Sequence, residues 1–292
     1  MDLKVLRYFL AVVQKESITA AAEYLYLTQP TLSRQLSALE DELGVTLFMR
    51  GNRKITLTEE GRRLRKRAEE ILDLVTKTES EFLAPAEQLR GDIHIGSGET
   101  RAMSDIVQII QQVRVDYPDI HVHIHSGDAN DILDSLTKGL VDFAVLIGPE
   151  DLSEYEFLRL KKKNQWGLLM RKDSPYAAKT VITQQDMLLM PLIFPRQHNT
   201  ENKISQWMGP HYRQLNIIST YNLIFNAALM VEHDLGYALC LDGLVSTVDE
   251  SIFCYKPLQP RLDIDVYVVW KKHNPLSKVS ELFANQLKLQ LL

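Results

Sequence analysis

This chain has little cysteine, no long apolar run and no excess of positive charge. Its 292 residues include two cysteines, Cys240 and Cys254, which are too few for a disulfide framework or a four-cysteine zinc site. No apolar run approaches the roughly 18 residues of a membrane-spanning helix. The first seven residues alternate charged and apolar side chains, unlike a signal peptide, so we expect a cytosolic protein. The net charge of −5, taken as an average, argues against a nucleic-acid partner.

The charge is unevenly distributed along the chain. Residues 1–67 hold 12 Lys/Arg and 8 Asp/Glu, a balance of +4. Residues 68–90 hold 2 and 6, a balance of −4, and residues 91–292 hold 19 and 24, a balance of −5. A basic N-terminal block beside acidic segments is typical of a nucleic-acid-binding module joined to other domains. Hydrophobic residues at 45% and charged residues at 24% indicate a globular protein and exclude a disordered or fibrous chain.

Three helices joined by short turns are predicted near the N-terminus. Apolar residues at helical spacing predict the first over residues 3–14. Ser17 precedes an alanine-rich second helix and Thr28 precedes the third, and both side chains can cap a helix start. Pro30 is tolerated there because first-turn amides have no intrahelical acceptor. The short separation of the second and third helices is typical of a helix-turn-helix motif.

The third helix has one apolar and one polar face. Leu32, Leu36 and Leu39 are predicted to face inward. Side chains that can bind base edges and phosphates are left on the other face, as a recognition helix in a major groove requires: Gln29, Thr31, Ser33, Arg34 and Gln35.

A β-hairpin is predicted directly after this motif. Two short apolar segments, 43–48 and 55–58, flank a turn that contains a Gly-Asn pair. A charged turn is often only a solvated loop, but its position after a helix-turn-helix favours a wing that contacts phosphates or the minor groove. The cations at its tip are Arg50, Arg53 and Lys54.

These segments resemble the N-terminal signature of LysR-type transcriptional regulators. The residues that carry the resemblance are FLAV (9–12), SITAAA (17–22), LTQPTLSRQL (27–36), LE (39–40), LGVTLFMR (43–50) and LTEEG (57–61). The resemblance implies that the groove-facing start of the recognition helix is formed by Gln29, Pro30, Thr31, Ser33 and Arg34. It also implies that Arg50 and Arg53 are the phosphate contacts of the wing. Thr31 stands where the family commonly has alanine, a departure that we expect to alter base preference. With Thr28 and Lys54 these residues form the predicted DNA-binding set.

A long helix with a narrow apolar stripe follows, capped by Thr58. The residues of this stripe recur at steps of four and three, and all but Thr78 are apolar: Leu64, Ala68, Ile71, Val75, Thr78 and Phe82. Such a stripe favours pairing with a second copy, and the alternative is a single helix that covers its own domain. In the LysR family this segment is the dimerisation helix, so the resemblance implies dimers that pair into a homotetramer through the C-terminal domains. Ala84-Pro85-Ala86 and Gly91 predict the end of the helix.

From residue 91 onward, strands alternate with helices, which predicts an α/β fold with mostly parallel sheets. LVDFAV (140–145) and GYAL (236–239) resemble the effector-binding domain of the same family, which is similar in fold to periplasmic binding proteins. The predicted fold class is therefore an all-α winged helix-turn-helix domain and a long linker helix joined to an α/β two-lobed domain. The predicted bounds are 1–58 for the DNA-binding domain, 59–90 for the linker helix, 91–162 with 267–292 for lobe I and 163–266 for lobe II.

Ligands of two-lobed α/β domains bind in the cleft at the carboxyl ends of strands, where helix N-termini point. Lobe I then contributes Ser97, Glu99, Thr100, Asp128 and Ile147. Lobe II contributes Arg196, Gln197, Asn199, Thr200, Tyr221 and Asn222. Free amides, hydroxyls and an arginine suit a small anion, whereas Glu99 favours a ligand with an amine or several hydroxyls. The alternative is that these side chains are helix caps and turn residues. We predict no cofactor, and the effector is left unidentified.

Other sites are not supported by their spacing. His121, His123 and His125 share one strand face, but flat strand spacing does not converge three ligands on a metal. Gly96-Ser97-Gly98 lacks the third glycine of a dinucleotide-binding loop, and the chain has no nucleophile elbow and no P-loop. Cys240 and Cys254 are predicted to be buried fillers, and the run 161–163 of three lysines a solvated connection.

The sequence therefore predicts a sequence-specific DNA-binding transcriptional regulator and not an enzyme. Each recognition helix would read half of an inverted repeat. A small metabolite would close the cleft and change the spacing of the DNA-binding domains, and with it the bending of the DNA and the contact with RNA polymerase. The second hypothesis is a metabolite-binding or catalytic α/β protein whose basic module binds another partner. Glu99 and His198 are the titratable groups that its cleft would offer. We expect no membrane partner.

Overall fold

The computed structural model describes residues 1–50, 54–83, 89–149, 151–196 and 198–291, and the side chains of residues 50, 80–83 and 198–200 are not among those described. The chain forms two compact units, Met1–Leu83 and Ala84–Leu292, so the predicted linker helix belongs to the first. Each unit has hydrophobic clusters of its own. Within the described ranges, no helix combines the length and apolar character needed to span a membrane.

The first unit is a bundle of helices with a two-stranded hairpin. Its elements are α1 (Leu3–Lys15), α2 (Ile18–Tyr24), α3 (Gln29–Leu43), β1 (Phe48–Arg50), β2 (Ile55–Leu57) and α4 (Glu59–Leu83). The two strands are antiparallel, with Phe48 opposite Leu57, as expected for a wing. Leu32, Leu36 and Leu39 of α3 are buried in the cluster that holds this unit together, which fixes the opposite face of α3 toward solvent.

Two of the three predicted caps form as expected. Ser17 Oγ accepts a hydrogen bond from the Ala20 amide at 3.3 Å, and Thr58 Oγ1 accepts one from the Gly61 amide at 2.9 Å. Thr28 occupies the N-cap position of α3, but its hydroxyl bonds the Thr31 hydroxyl at 2.8 Å instead of a backbone amide. The start of α3 therefore lacks a side-chain cap, so its first amides can bind an external acceptor.

Small residues set how closely α4 approaches the rest of the first unit. A Cβ at Gly61 would collide with the Leu47 carbonyl and with the Leu57 side chain. Two turns further on, Ala68 is fully buried at 0% exposure in the same cluster as Phe9 of α1. The amino-terminal half of α4 is thus part of the core of the first unit.

The second unit alternates strands and helices. Its elements are β3 (Gly91–Ser97), α5 (Met103–Asp116), β4 (Ile120–Ser126), α6 (Ala129–Lys138), β5 (Phe143–Ile147), β6 (Tyr155–Arg159), β7 (Asn164–Arg171), β8 (Ile182–Thr183), α7 (Gln184–Leu188), β9 (Pro191–Pro195), α8 (His198–Met208), a 3₁₀ helix (Gly209–Gln214), β10 (Asn216–Tyr221), α9 (Ile224–Glu232), β11 (Tyr237–Leu241), β12 (Phe253–Gln259), β13 (Asp263–Ile264), β14 (Val266–Lys271) and α10 (Lys278–Leu291).

Two separate sheets define two lobes. The lobe I sheet has the order β4-β3-β5-β14-β6, and the lobe II sheet has the order β10-β9-β11-β7-β12-β8 with β13 beside β7. Within them, β4, β3 and β5 are mutually parallel, as are β10, β9 and β11. The expectation of mostly parallel sheets is nevertheless wrong, because both sheets are mixed. The strands that enter a lobe after a crossing, β7 and β14, run antiparallel to their neighbours.

The chain passes between the lobes at two adjacent points, one between Arg159 and Asn164 and one at Asp265. The three lysines of the first crossing are not simply solvated, contrary to expectation. Lys161 donates to the Gln290 carbonyl at 2.6 Å, Lys162 lies 3.0 Å from an Asp105 carboxylate oxygen, and Lys163 lies 3.6 Å from Asp265. The first crossing is therefore fastened to lobe I and to the second crossing.

Candidate functional site

The exposed start of α3 is the candidate nucleic-acid interface of the first unit. Gln29, Pro30, Thr31 and Arg34 are exposed, and Ser33 is half-buried. The buried leucines on the opposite face leave these side chains no freedom to turn inward. A short polar ridge that ends in an arginine can donate and accept hydrogen bonds along the edges of base pairs.

The predicted wing cations are only partly described. Lys54 is exposed and forms an ion pair with Glu16, which closes α1. The hydrogen bond to this carboxylate, and then its charge, raise the pKa of Lys54 above its ordinary value. Arg53 lies outside the described residues, and so does the side chain of Arg50. Glu16 was missed by sequence reasoning, because no local spacing links a residue at the end of α1 to the wing.

The predicted dimerisation stripe is divided between two environments. Ala68 is fully buried inside its own unit, and Leu64 and Ile71 are half-buried against the same cluster. The prediction that Ala68 contacts a second copy is therefore wrong, and the alternative of a helix that covers its own domain holds for this part of α4. Val75, further along, is half-buried, and the Phe82 side chain lies outside those described.

A small cavity between the lobes gathers several of the predicted ligand-binding residues. This inner cavity has a volume of about 30 Å³, which is room for about one water molecule. It is lined by Glu99, Ile147, Trp166, Pro195, Tyr221, Asn222, Ile224, Leu241 and Leu244. Ile147 packs against the cores of both lobes, and the Tyr221 hydroxyl donates to the Leu239 carbonyl at 2.7 Å. Burial, and then the neighbouring Cys240 and Glu99, raise the pKa of Tyr221 well above its ordinary value.

Glu99 crosses the cleft to the start of α9. Its Oε2 atom accepts a hydrogen bond from the Ile224 amide at 2.5 Å. The N-cap residue of α9 is Leu223, which has no side chain that can cap, so a carboxylate from lobe I takes that role. A helix start favours a negative charge, which accounts for the partnership. The carboxylate that we expected to favour a ligand amine or hydroxyls is thus already bonded to the protein through one oxygen in this arrangement.

Ser97 and Thr100 are buried and do not line the inner cavity. The Ser97 hydroxyl donates to the Gly98 carbonyl at 2.7 Å. The Thr100 hydroxyl donates to Asn164 Oδ1 at 2.5 Å, and Asn164 is itself buried at the start of lobe II. Thr100 and Asn164 thus form a second polar connection between the lobes, and both predicted hydroxyls already donate their proton within the protein.

A larger opening, the outer cavity, lies beside the inner one and shares Pro195 with it. Its volume is about 470 Å³, and its lining includes the predicted residues Asp128 and Arg196. Asp128 caps α6 by accepting hydrogen bonds from two amides at 3.0 Å. Glu201 and Tyr212 also line it, and the Tyr212 hydroxyl donates to Glu201 at 3.3 Å. Burial, and then the Glu201 charge, raise the pKa of Tyr212 to about 12.

Some predicted lobe II residues lie outside the described part of the chain, and some residues that line the inner cavity were not predicted. Gln197 lies outside the described residues, as do the side chains of Asn199 and Thr200 in the first turn of α8. Trp166, near the start of β7, was missed. It is 3% exposed, it lines the inner cavity, and its indole Nε1 makes no hydrogen bond within the described part of the chain. An aromatic residue directly after the lobe crossing was the available signal.

The histidine strand has a local partner that sequence spacing did not reveal. β3 lies beside β4, so that His94 stacks on His123 with ring centroids 4.8 Å apart and bonds His125 at 3.1 Å. His123 also lies 3.0 Å from Asp92. No group of three or more metal-ligating side chains converges among the described residues.

Burial raises the pKa of the Cys240 thiol to about 12, so this buried side chain is a poor nucleophile.

Comparison with known proteins identifies the family. Residues 3–62 match the model described as the bacterial regulatory helix-turn-helix protein, lysR family, and residues 86–291 match the LysR substrate binding domain. The transcriptional regulator BsdA of Bacillus subtilis is 32% identical over 216 residues, 73% of each chain. The transcriptional activator IlvY of Salmonella typhimurium is 28% identical over 212 residues, 72% of each chain.

Among solved structures, the LysR family transcriptional regulator CbnR has the same fold, with a TM-score of 0.77, 16% identity and coverage of 100% of both chains. CbnR has also been solved in complex with its target DNA, where 99% of this chain aligns.

The chain therefore belongs to the LysR family of transcriptional regulators, with a helix-turn-helix DNA-binding domain followed by a substrate-binding domain. The predicted fold class and the predicted function as a DNA-binding regulator are confirmed. Membership of this family, and not the lack of a catalytic cluster, argues against the enzyme hypothesis.

Proposed function

We propose that the first turn of α3 is the element that reads base sequence in this regulator. The observation that carries the proposal is the exposure of Gln29, Thr31 and Arg34 on a helix whose other face is fixed in the core. Arg34 has the planar, two-pronged donor geometry that matches the O6 and N7 atoms of guanine. The Thr28–Thr31 hydrogen bond leaves the α3 amides uncapped, and a backbone phosphate would satisfy them.

Lys54 of the wing is proposed to contact a DNA phosphate once its ion pair with Glu16 is broken. In the described structure the two side chains neutralise each other on the exposed surface. A phosphate would compete with Glu16 for the same ammonium group, so Glu16 would weaken DNA binding. The contact would be independent of sequence, because phosphates carry no base information.

A second copy is proposed to cover the groove between α1, α2 and α4, whose lining is partly apolar. The groove has a volume of about 560 Å³, and its lining includes Leu10, Val13, Tyr24 and Leu72. Val75, on the carboxyl-terminal half of α4, is half-buried. A dimer would hold two recognition helices over the two halves of an inverted repeat, and pairing through the substrate-binding domains would give a tetramer.

The cleft between the lobes is proposed to be the effector site, with the inner and outer cavities as its two parts. A small metabolite that prefers one lobe arrangement would shift the population toward it, which changes the spacing of the heads on DNA. The protein would act in the cytosol, where its DNA and RNA polymerase lie.

The test is footprinting and gel-shift titration of the full chain on genomic fragments, including the DNA beside its own gene. Arg34→Ala is expected to relax base preference by weakening the best site more than others, by about 1–3 kcal/mol. Lys54→Ala is expected to weaken binding to all DNA sequences by the same factor and to lower the salt dependence of that binding. Glu16→Gln is expected to strengthen binding to all DNA sequences by the same factor.

The controls separate base reading from general electrostatics. Arg114→Ala removes a cation from lobe I, in the other unit, and is expected to leave DNA binding unchanged. Absence of sequence-selective, salt-sensitive binding on any fragment would overturn the proposed function, and an Arg34→Ala variant with unchanged base preference would overturn the assignment of α3.

A further inference from the structure

The start of α9 is bound by a carboxylate of the protein itself, that of Glu99. The first-turn amides of α9 have no cap from their own helix, because Leu223 precedes them and offers no acceptor side chain. Glu99 reaches them from the opposite lobe and bonds Ile224. The positive end of the helix dipole adds to the attraction for negative charge.

A second donor without an acceptor belongs to a residue that lines the same cavity. Trp166 lines the inner cavity with Glu99 and Ile224, and its Nε1 is buried with no hydrogen-bond partner within the described residues. An unpaired buried donor costs free energy, so such donors are normally paired. The indole N–H can only donate, and it therefore indicates an acceptor on whatever occupies this cavity.

We infer that the effector presents an oxyanion, such as a carboxylate, and that Glu99 is its built-in competitor. The oxyanion would accept hydrogen bonds from the α9 amides and from Trp166 Nε1, and Glu99 would be displaced. Since Glu99 belongs to lobe I and α9 to lobe II, its displacement also breaks a connection between the lobes. Effector binding and the release of this connection are then one event. The inference rests on the proposed role of the cleft as the effector site.

A cationic ligand fits this geometry less well. An amine bound to Glu99 would lie at the positive end of α9 and would offer nothing to the indole N–H. The two hypotheses predict opposite signs for the same substitution. If Glu99 binds a ligand amine, its removal weakens ligand binding, and if Glu99 competes with the ligand, its removal strengthens ligand binding.

The test uses the full chain with n-butyrate as the probe and n-butylamine as its cationic counterpart, followed by calorimetric titration and thermal shift. Glu99→Ala is expected to bind butyrate about ten-fold more tightly than the unchanged protein, because the internal carboxylate no longer occupies the amides. Glu99→Gln, which keeps the shape of the side chain, is expected to shift affinity in the same direction. Adding Trp166→Phe to Glu99→Ala is expected to remove most of the gain.

Glu201→Ala is the matched control, since it removes a carboxylate from the neighbouring outer cavity without touching α9. It is expected to strengthen butyrate binding far less than Glu99→Ala. Equal gains from the two variants would indicate a general electrostatic effect and would overturn the inference. So would absence of butyrate binding to Glu99→Ala, or butylamine binding that Glu99→Ala abolishes. Gel shifts of the same preparations without probe report DNA binding separately, so a failure of the proposed function would be recognised there.

Discussion

Asp186 fixes the start of a short helix in lobe II through four hydrogen bonds. Thr183 and Asp186 form a reciprocal capping box at the start of α7. The carboxylate accepts from the Thr183 amide at 3.0 Å, from its hydroxyl at 2.8 Å and from Lys179 at 2.6 Å. Burial disfavours the charged form, but the bonds from Lys179 and Thr183 outweigh it and hold the pKa of Asp186 below its ordinary value.

Replacement of this carboxylate is expected to destabilise lobe II. Asp186→Asn should lower the free energy of unfolding by about 2 kcal/mol, because buried hydrogen bonds to a charged group are lost. Urea unfolding followed by circular dichroism measures the change. The control is Asp173→Asn, an exposed carboxylate paired with Arg171, for which we expect no measurable change. Equal effects from both variants would contradict the structural role given to Asp186.

The pH dependence of this difference has a defined sign. A carboxylate with a lowered folded pKa stabilises the protein above its unfolded pKa of about 3.9. That stabilisation is lost as the pH falls through the folded value. The stability gap between the unchanged protein and Asp186→Asn is therefore expected to be constant above about pH 5 and to shrink below about pH 4. A gap that widens on acidification would show that another group is responsible.

At the scale of elements, α4 shows how the same pattern can have two outcomes. Its apolar stripe fits both a partner helix and the core of its own unit, since each would bury the same face. The structure buries Ala68 in the core and leaves Val75, two turns further along the stripe, half-buried. The helix and its length were predictable from its periodicity and caps, whereas the surface that covers each part of the stripe depends on contacts with α1.

The cleft shows a similar division. Strand ends are recognisable in sequence, and residues predicted from them line one cavity in the structure: Glu99, Ile147, Tyr221 and Asn222. The partners that these residues meet belong to distant segments, so the Glu99 bond to α9 had no local signal. Trp166 was missed because it lies at the beginning of a strand, where the rule for ligand sites does not look.

Overpacking α4 is expected to destabilise the first unit. Ala68→Leu should lower its free energy of unfolding by about 1–3 kcal/mol, because three added carbons have no space against α1. Leu74→Ala, on the exposed part of the same helix, should change stability by about 0.5 kcal/mol or less. Unfolding measured at several protein concentrations separates folding from association. If Ala68→Leu changes the dimer dissociation constant and leaves the free energy of unfolding unchanged, Ala68 belongs to the dimer interface and not to the core.

At the scale of the whole molecule, the two units have separate hydrophobic cores. The first is built on α1, α3 and α4, and the second on the two sheets and their helices. Units with their own cores are able to unfold in separate steps. A ligand that binds one folded unit stabilises that unit by mass action.

Calorimetry of the full chain is expected to show two unfolding transitions. Ala68→Leu should lower one of them and Asp186→Asn the other, and operator DNA should raise only the transition that Ala68→Leu lowers. A single transition that both variants lower equally would show that the units unfold together.

The fastened lysines of the crossing determine which motion the lobes can make. Lys161 and Lys162 hold the first crossing on lobe I, and Asp265 lies between Arg159 and Lys163, 3.1 and 3.6 Å away. Two connections this short and this close together define an axis, so lobe II is left with rotation and little translation. Residues at the axis move least, and residues at the far rim of the cleft sweep the largest arc. The bond between Glu99 and α9 crosses the cleft and therefore adds a further restraint on this rotation.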